Sequence, residues 1–429
     1  MASGGMTDRN KHLIGASDET PIGNVGDRLK VDASFSNQGD LSPLGRLRVS
    51  IHSVYFIFSF SRTWENSFEV FDSQLTSGGT VTDIENQSSV SLNVTSSATS
   101  KTIIETTRYF PYFPGRESSI LITGNLNGGV TGVRKRLGLF DDKNGIFFQL
   151  VDSTLSIVIR SDVTGSVVDT VVNQSSWSQD KLDGTGVSGL TFDTTKQTIF
   201  FFEYIWLGSG PINFGVYIGD KKVYVHKYSG SNIASKIWCS SPVLPLRYEC
   251  EKLSGSNTAS LLVTCMSISF EGQTEPNAGF DAFYINNKLN EKTFTNETPI
   301  FSIRLNPNTN RAIIVPTLID LIMTAGTKFA YWYILKNATT LTDVSWQNVG
   351  IFSQYDKATT SFSGGYKVYE SYLNVSGSTS VQESELLNSN KLYLSRLLNG
   401  NSETLTLVIS TSGGSSKLVW SSEVREFLK

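Results

Sequence analysis

Between residues 101 and 250 the chain alternates short apolar runs with turns built from Gly, Asn and Asp. Leu137-Gly138-Leu139-Phe140 and Ile146-Phe147-Phe148-Gln149-Leu150 flank Asp141-Asp142-Lys143-Asn144-Gly145, where Asn-Gly supplies the positive φ of a tight hairpin. A second hairpin is predicted at Gly219-Asp220, with glycine at the first loop position as a type II′ turn prefers. Residues 154–160 alternate, 165–172 follow, and 199–207 are apolar on both faces, as expected at the centre of a sandwich. Residues 51–60, rich in aromatic and β-branched side chains, predict a buried strand. Just before them, a turn at Pro43 leads into a short strand in which Leu44, Arg46 and Arg48 alternate with Gly45, Leu47 and Val49.

After Thr274 the pattern restarts, with strands near 300–305, 311–315, 329–336 and 405–410. One helix is predicted: Ser380-Val381-Gln382-Glu383 has capping-box spacing, and Leu386, Leu387, Leu394, Leu397 and Leu398 form a stripe ending at Gly400. The reading is all-β. It comprises an extended N-terminal docking arm over 1–32, a β-rich lead-in over 33–100, a jelly-roll β-sandwich domain over 101–280 and a β-rich C-terminal domain over 281–429.

Length and composition sharpen this picture. At 429 residues the chain exceeds what one hydrophobic core organises, and its 17% of charged residues lies below the roughly 25% of an average domain. A net charge of −3 provides no footprint for nucleic acid or anionic membrane. No apolar stretch is long enough for a membrane span, and the first twenty residues contain no signal-peptide core, so neither secretion nor insertion is expected. Cys239, Cys250 and Cys265, an odd set, are expected to be buried free thiols.

Chemistry-bearing motifs are sparse. Only His12, His52 and His226 are available as bases, and no Gly-x-Ser-x-Gly elbow or phosphate cradle occurs. Catalytic, metal and cofactor sites are therefore each expected to be none; the acidic turns at 141–145 and 180–186 read as turns before they read as calcium loops. Arg134-Lys135-Arg136 reads as a solvated face or a subunit contact. For glycoside hydrolysis the best carboxylate is Glu203, alone in an apolar strand. For sugar stacking the candidate rings are Trp177 and Trp238, with Trp206 assigned to the core.

The segments 42–50 (beginning Ser42-Pro43-Leu44-Gly45-Arg46-Leu47-Arg48-Val49), 108–116 and 132–148 resemble a family of virion structural proteins of tailed bacteriophages. Asp169, Trp177, the 180–186 turn and Trp206-Leu207-Gly208 continue the resemblance, and 23–31 is similar to the leading arms of phage fibre and adaptor proteins. The match spans roughly residues 20 to 250 and, more faintly, 420–427; the interval 51–71 departs from it, being longer and more aromatic. The resemblance implies a non-enzymatic component of the virion, assembled in the host cytoplasm and anchored by its arm to a neighbouring capsid or tail protein. Its sandwich domains would face outward as a head or tail fibre, decoration or adaptor. Partners would be other virion proteins and further copies of the chain, a trimer first. Arg46 and Arg48 are the candidate inter-subunit contacts. The alternative is a receptor adhesin binding a host-surface glycan.

Overall fold

The computed structural model describes residues 24–25, 28–29, 41–48, 52–61, 63–64, 67, 70–272, 280–308, 312–326, 329–374, 378–381, 392–411 and 413–427. Residues 1–48 and 49–429 are separate compact units. In the first, Asn24–Val25 pairs with Arg28–Leu29, a short hairpin within the predicted arm, the rest of which lies outside the described residues. The predicted strand over 44–48 is instead a turn closed by a Leu41–Leu47 bridge, because Gly45 adopts a φ of +76° and Ser42 exchanges backbone hydrogen bonds with Gly45 and Arg46. Arg46 is exposed and Arg48 half-buried, so the charged strand face expected of them is not formed.

The second unit opens with a jelly-roll β-sandwich of two antiparallel sheets. One is seven-stranded, in the order Val168–Asn173, Thr154–Ser161, Gly145–Asp152, Val130–Phe140, Leu246–Lys252, Lys101–Thr106 and Phe71–Thr76. Facing it runs Lys221–Tyr228, Ile212–Ile218, Thr198–Tyr204, Ser118–Asn125, Ala259–Glu271, Ser89–Val94 and Thr80–Ile84, with His52–Ser59 also pairing on Ala259–Glu271. Both predicted hairpins form: Phe140 pairs with Gly145, and Ile218 with Lys221 across Gly219 at φ +62°. Gly145 is required on two grounds, a φ of +140° and a space so tight that a Cβ would stand 2.2 Å from that of Phe140.

The core lies between these sheets. Leu137, Leu139, Ile146, Phe148, Ile157 and Tyr248 from one meet Ile120, Ile122, Phe200, Phe202 and Phe214 from the other. Phe148 is the hub, its ring centroid 5.0 Å from Phe200, 5.4 Å from Phe202 and 6.2 Å from both Phe214 and Trp177. Thr198–Tyr204 runs through the sheet interior as predicted, and Phe201 and Glu203 point to its outer face. His52–Ser59 is not buried on both faces: Val54 is 62% and Ile57 71% exposed. Phe56 packs into the core, whereas Val54 and Ile57 lie outside it.

Further sheets follow. One orders Phe280–Asn286, Ser416–Phe427, Ile313–Ala325 and Ser378–Val381, with Lys292–Phe294 also on Ser416–Phe427. The other is six-stranded: Gln347–Asn348, Ser353–Asp356, Thr298–Leu305, Thr404–Thr411, Ala330–Lys336 and Tyr366–Leu373. Their core is built on Trp332, Ile334, Leu407 and Ile409, with Phe301 stacked on Trp420 at 4.4 Å. Ile313, Val315 and Tyr393 reach into the sandwich core. The predicted helix is absent from the described part of its span. Ser380 and Val381 pair with Asp320 and Ile319, Leu394 bridges Ile314, and Leu397 and Gly400 close a turn; 382–391, with Leu386 and Leu387, lie outside the described residues. At the described flanks, cross-sheet pairing takes the place of the predicted cap and last turn.

Candidate functional site: the ionic face of the sandwich

Alternation along Leu246–Lys252 sends Tyr248 and Cys250 into the core and Arg247, Glu249 and Glu251 to the opposite face of the seven-stranded sheet. Register then sets Glu105 and Lys101 beside them on one side and Arg136 and Arg134 on the other. The arginines and acids pair across strands. Arg247 Nε donates to Glu105 at 2.5 Å and Nη1 to Asp142 at 2.7 Å. Arg136 donates to Gln149 at 2.9 Å and to Glu249 at 3.2 Å. Arg160 holds Asp169 bidentately at 2.8 and 2.9 Å, Arg134 holds Glu251, and Lys101 lies 3.6 Å from Glu249.

Aromatic rings complete this face. Phe140 and Phe147 lie 4.3 Å apart, with the Arg160 and Arg136 guanidiniums 5.2 and 5.3 Å from the Phe147 centroid and Arg247 5.3 Å from that of Phe140. Arg136, Arg247, Glu105 and Glu249 are all buried. A cavity of about 250 Å³ opens at one end, lined by Glu105, Tyr109, Asp141, Asp142, Arg247 and Arg396. The 395–400 segment, which supplies Arg396, is tied to the sandwich, Leu398 N donating to Asp72 at 2.7 Å and Ser395 Oγ to the Thr107 carbonyl.

Burial pushes the Glu105 carboxyl up to about 8 despite the Arg247 guanidinium. Burial pushes Glu249 up as well, but Arg136, Lys101 and Arg247 outweigh it and hold the carboxyl below its usual range; hydrogen bonding from Arg160 does the same to Asp169. Glu105 therefore binds a proton in the folded state that the unfolded chain releases near pH 4.5, so its contribution to stability is lost as pH rises toward and through about 8. Glu249 and Asp169 act oppositely, their contribution disappearing as pH falls below about 4. Urea midpoints should peak at mildly acid pH and decline on both sides, and Glu105→Gln should flatten the alkaline limb alone. A wild-type midpoint that climbs steadily from about pH 5 to 9 would contradict this assignment.

The residues singled out from sequence occupy other places. Trp177 is 3% and Trp238 4% exposed; both rings belong to the core, and Trp177 Nε1 donates to the Val172 carbonyl at 3.1 Å. Neither offers the open ring face that sugar stacking needs, so both glycan-contact assignments are withdrawn. Glu203 is buried and held by Lys222 and by the Tyr224 hydroxyl at 2.9 Å. His226 Nδ1 accepts from Ser178 N at 3.1 Å, and burial lowers its pKa. Arg134 and Arg136 belong to the ionic face, while Lys135 turns inward to the carbonyls of Leu126 and Gly128, so Arg134 alone of the three keeps a partly exposed side chain. Asp180 accepts from the Leu182 and Ser188 backbone N–H groups, which holds the 180–188 turn closed. Cys239 and Cys250 are buried free thiols, but Cys265 is exposed. The ionic face itself was missed; its signal was charge alternating with Tyr248 and Cys250.

No family model and no curated protein matches the chain. Among solved structures, a protein of unknown function from Shewanella oneidensis MR-1 is similar at 7% identity and a TM-score of 0.36, covering 57% of this chain and all of its own. The Bacillus licheniformis β-glucanase has 9% identity and a TM-score of 0.32, covering 51% of this chain and 98% of its own. A legume lectin-like domain from Entamoeba histolytica has 12% identity and a TM-score of 0.29, covering 51% and 97%.

Proposed function

We propose that this chain is a non-enzymatic structural protein of a tailed-bacteriophage virion, using the sandwich as a rigid display scaffold. The observation that carries the non-enzymatic part is the state of the acids on the ionic face. Glu105, Asp142, Asp169, Glu249 and Glu251 are each held by an arginine. General acid–base or nucleophilic work on a glycoside needs a carboxyl group free to meet substrate. A lattice of mutually compensating pairs instead fixes strand register and rigidifies the sheet.

The virion part rests on the resemblance over roughly 20–250. In this reading the chain assembles in the host cytoplasm and docks on a neighbouring capsid or tail protein, with homo-oligomerisation, a trimer first, following from the symmetry of particle sites. Arg46, exposed just after the arm, remains a candidate contact. Peptide mass fingerprinting of gradient-purified particles tests the proposal: the chain should be present in a fixed multiple per particle, and its absence would overturn it. Hydrolysis is tested separately by reducing-sugar release from host envelope polysaccharide, where none is expected; release abolished by Glu203→Gln would reverse the non-enzymatic assignment.

A further inference from the structure

The six-stranded sheet carries a row of aromatic rings on the face away from its core. Trp332 points inward, so its neighbours Tyr331 and Tyr333 point outward. Register places Tyr372 beside Tyr331 and Glu370 beside Tyr333. The rings of Tyr331 and Tyr372 lie 5.4 Å apart, Phe329 meets Tyr372 edge-on at 5.8 Å, and Tyr331 meets Tyr333 at 5.6 Å. Tyr372 is 66% and Phe329 52% exposed.

The rim of this row is polar and pinned. Tyr331 Oη donates to Glu370, Lys367 Nζ donates to Tyr331 Oη at 3.0 Å, and the same ammonium stands 4.3 Å over the Tyr333 ring. Lys367 and Glu370 lie 4.0 Å apart and a second carboxylate, Glu297, is hydrogen-bonded to Tyr333, so the platform is apolar at its centre and hydrogen-bonding and weakly acidic at its edge. We propose that Phe329, Tyr331 and Tyr372, with Lys367 and Glu370 at their rim, form a binding site for a neutral glycan, whose apolar sugar faces stack on the rings and whose hydroxyls meet the rim.

Three features favour a glycan. Two carboxylates, Glu370 and Glu297, against the single ammonium of Lys367 disfavour a polyanion or an acidic peptide. Two half-exposed rings fall far short of the roughly 800 Å² per partner that a stable dimer buries. The pinned Tyr331 hydroxyl fixes its ring in advance, cutting the ordering cost on binding. This site goes beyond the structural role and stands apart from it, since it draws on no residue of the sandwich.

The test is binding of the full chain to an array of bacterial surface polysaccharides, followed by titration calorimetry with an oligosaccharide from the strongest positive. Binding to a neutral glycan should weaken about tenfold or more in Tyr372→Ala and in Phe329→Ala, and much less in Tyr372→Phe. Both positions are exposed, so the variants keep wild-type melting temperatures. Overturning results are an array with no positive, affinity unchanged in both alanine variants, or an oligomer that dissociates in the Phe329→Ala/Tyr372→Ala double variant, which would make this face a contact between copies. Incorporation of that double variant into particles at wild-type level separates failure here from failure of the structural reading.

Discussion

Arg247→Met should lower the unfolding free energy by about 3–5 kcal/mol, the range for removing one partner of a buried ion pair. Arg247 is buried at the centre of the ionic face, where it donates to Glu105 and Asp142 and lies 3.9 Å from Glu249. The substitution keeps most of the side-chain volume, so cavity formation contributes little. The cost arises because Glu249 stays ionised in a site that has lost part of its compensating charge. Glu105 responds differently: already raised by burial, it takes up a proton fully and becomes a neutral acid.

Arg247→Met combined with Glu105→Gln should therefore lose less than the sum of the single changes, because the two side chains share one hydrogen bond. Urea unfolding of the four proteins of this cycle measures both quantities. A loss below about 1 kcal/mol for Arg247→Met would mean that the pair behaves like a solvated surface pair and that the face is not the rigid lattice described above.

Phe148→Ala should cost a comparable amount, about 3–5 kcal/mol, for a different reason. The Phe148 ring joins the two sheets: its own strand, Gly145–Asp152, belongs to the seven-stranded sheet, and its partners Phe200, Phe202 and Phe214 to the other. Truncation opens a cavity among rings anchored on two rigid sheets, which cannot close it without shearing strands past one another. Phe148→Leu should recover most of the loss. The two changes are separable by pH, since Phe148→Ala removes no titrating contact whereas the loss in Arg247→Met shrinks as acid protonates Glu249. A Phe148→Ala protein within about 1 kcal/mol of wild type would contradict the packing hub.

The hairpins at Asn144-Gly145 and Gly219-Asp220 were legible because their chemistry is local: a glycine at a position of positive φ between apolar runs has few other uses. The all-β character was legible for the same reason, being written in short runs and turns. What stayed hidden was non-local. Arg247 and Glu105 are 142 residues apart in sequence, and Arg136 and Glu249 113, so nothing short of strand order could bring them together. Strand order also decided the fate of the predicted capping box, since Ser380 and Val381 pair with Asp320 and Ile319.

Burial of single rings was illegible for a related reason. A tryptophan next to a polar turn reads the same whether its face is covered or open. Trp177 and Trp238 proved covered, whereas the open rings, Phe329 and Tyr372, come from separate segments that the alternation of Tyr331, Trp332 and Tyr333 could have flagged only once the inward face was known. His52–Ser59 is the converse case: its composition is that of a strand buried on both faces, but only one face meets the core, and Val54 and Ile57 are in the open.

The most direct test of the structural assignment is immunogold electron microscopy of intact and gently disrupted phage particles, with antibody raised against residues 290–429. Gold at one fixed station on every particle, whether on the head, the neck or the tail, is the predicted result. Gold confined to the free protein of the lysate, with none on intact or disrupted particles, would contradict it.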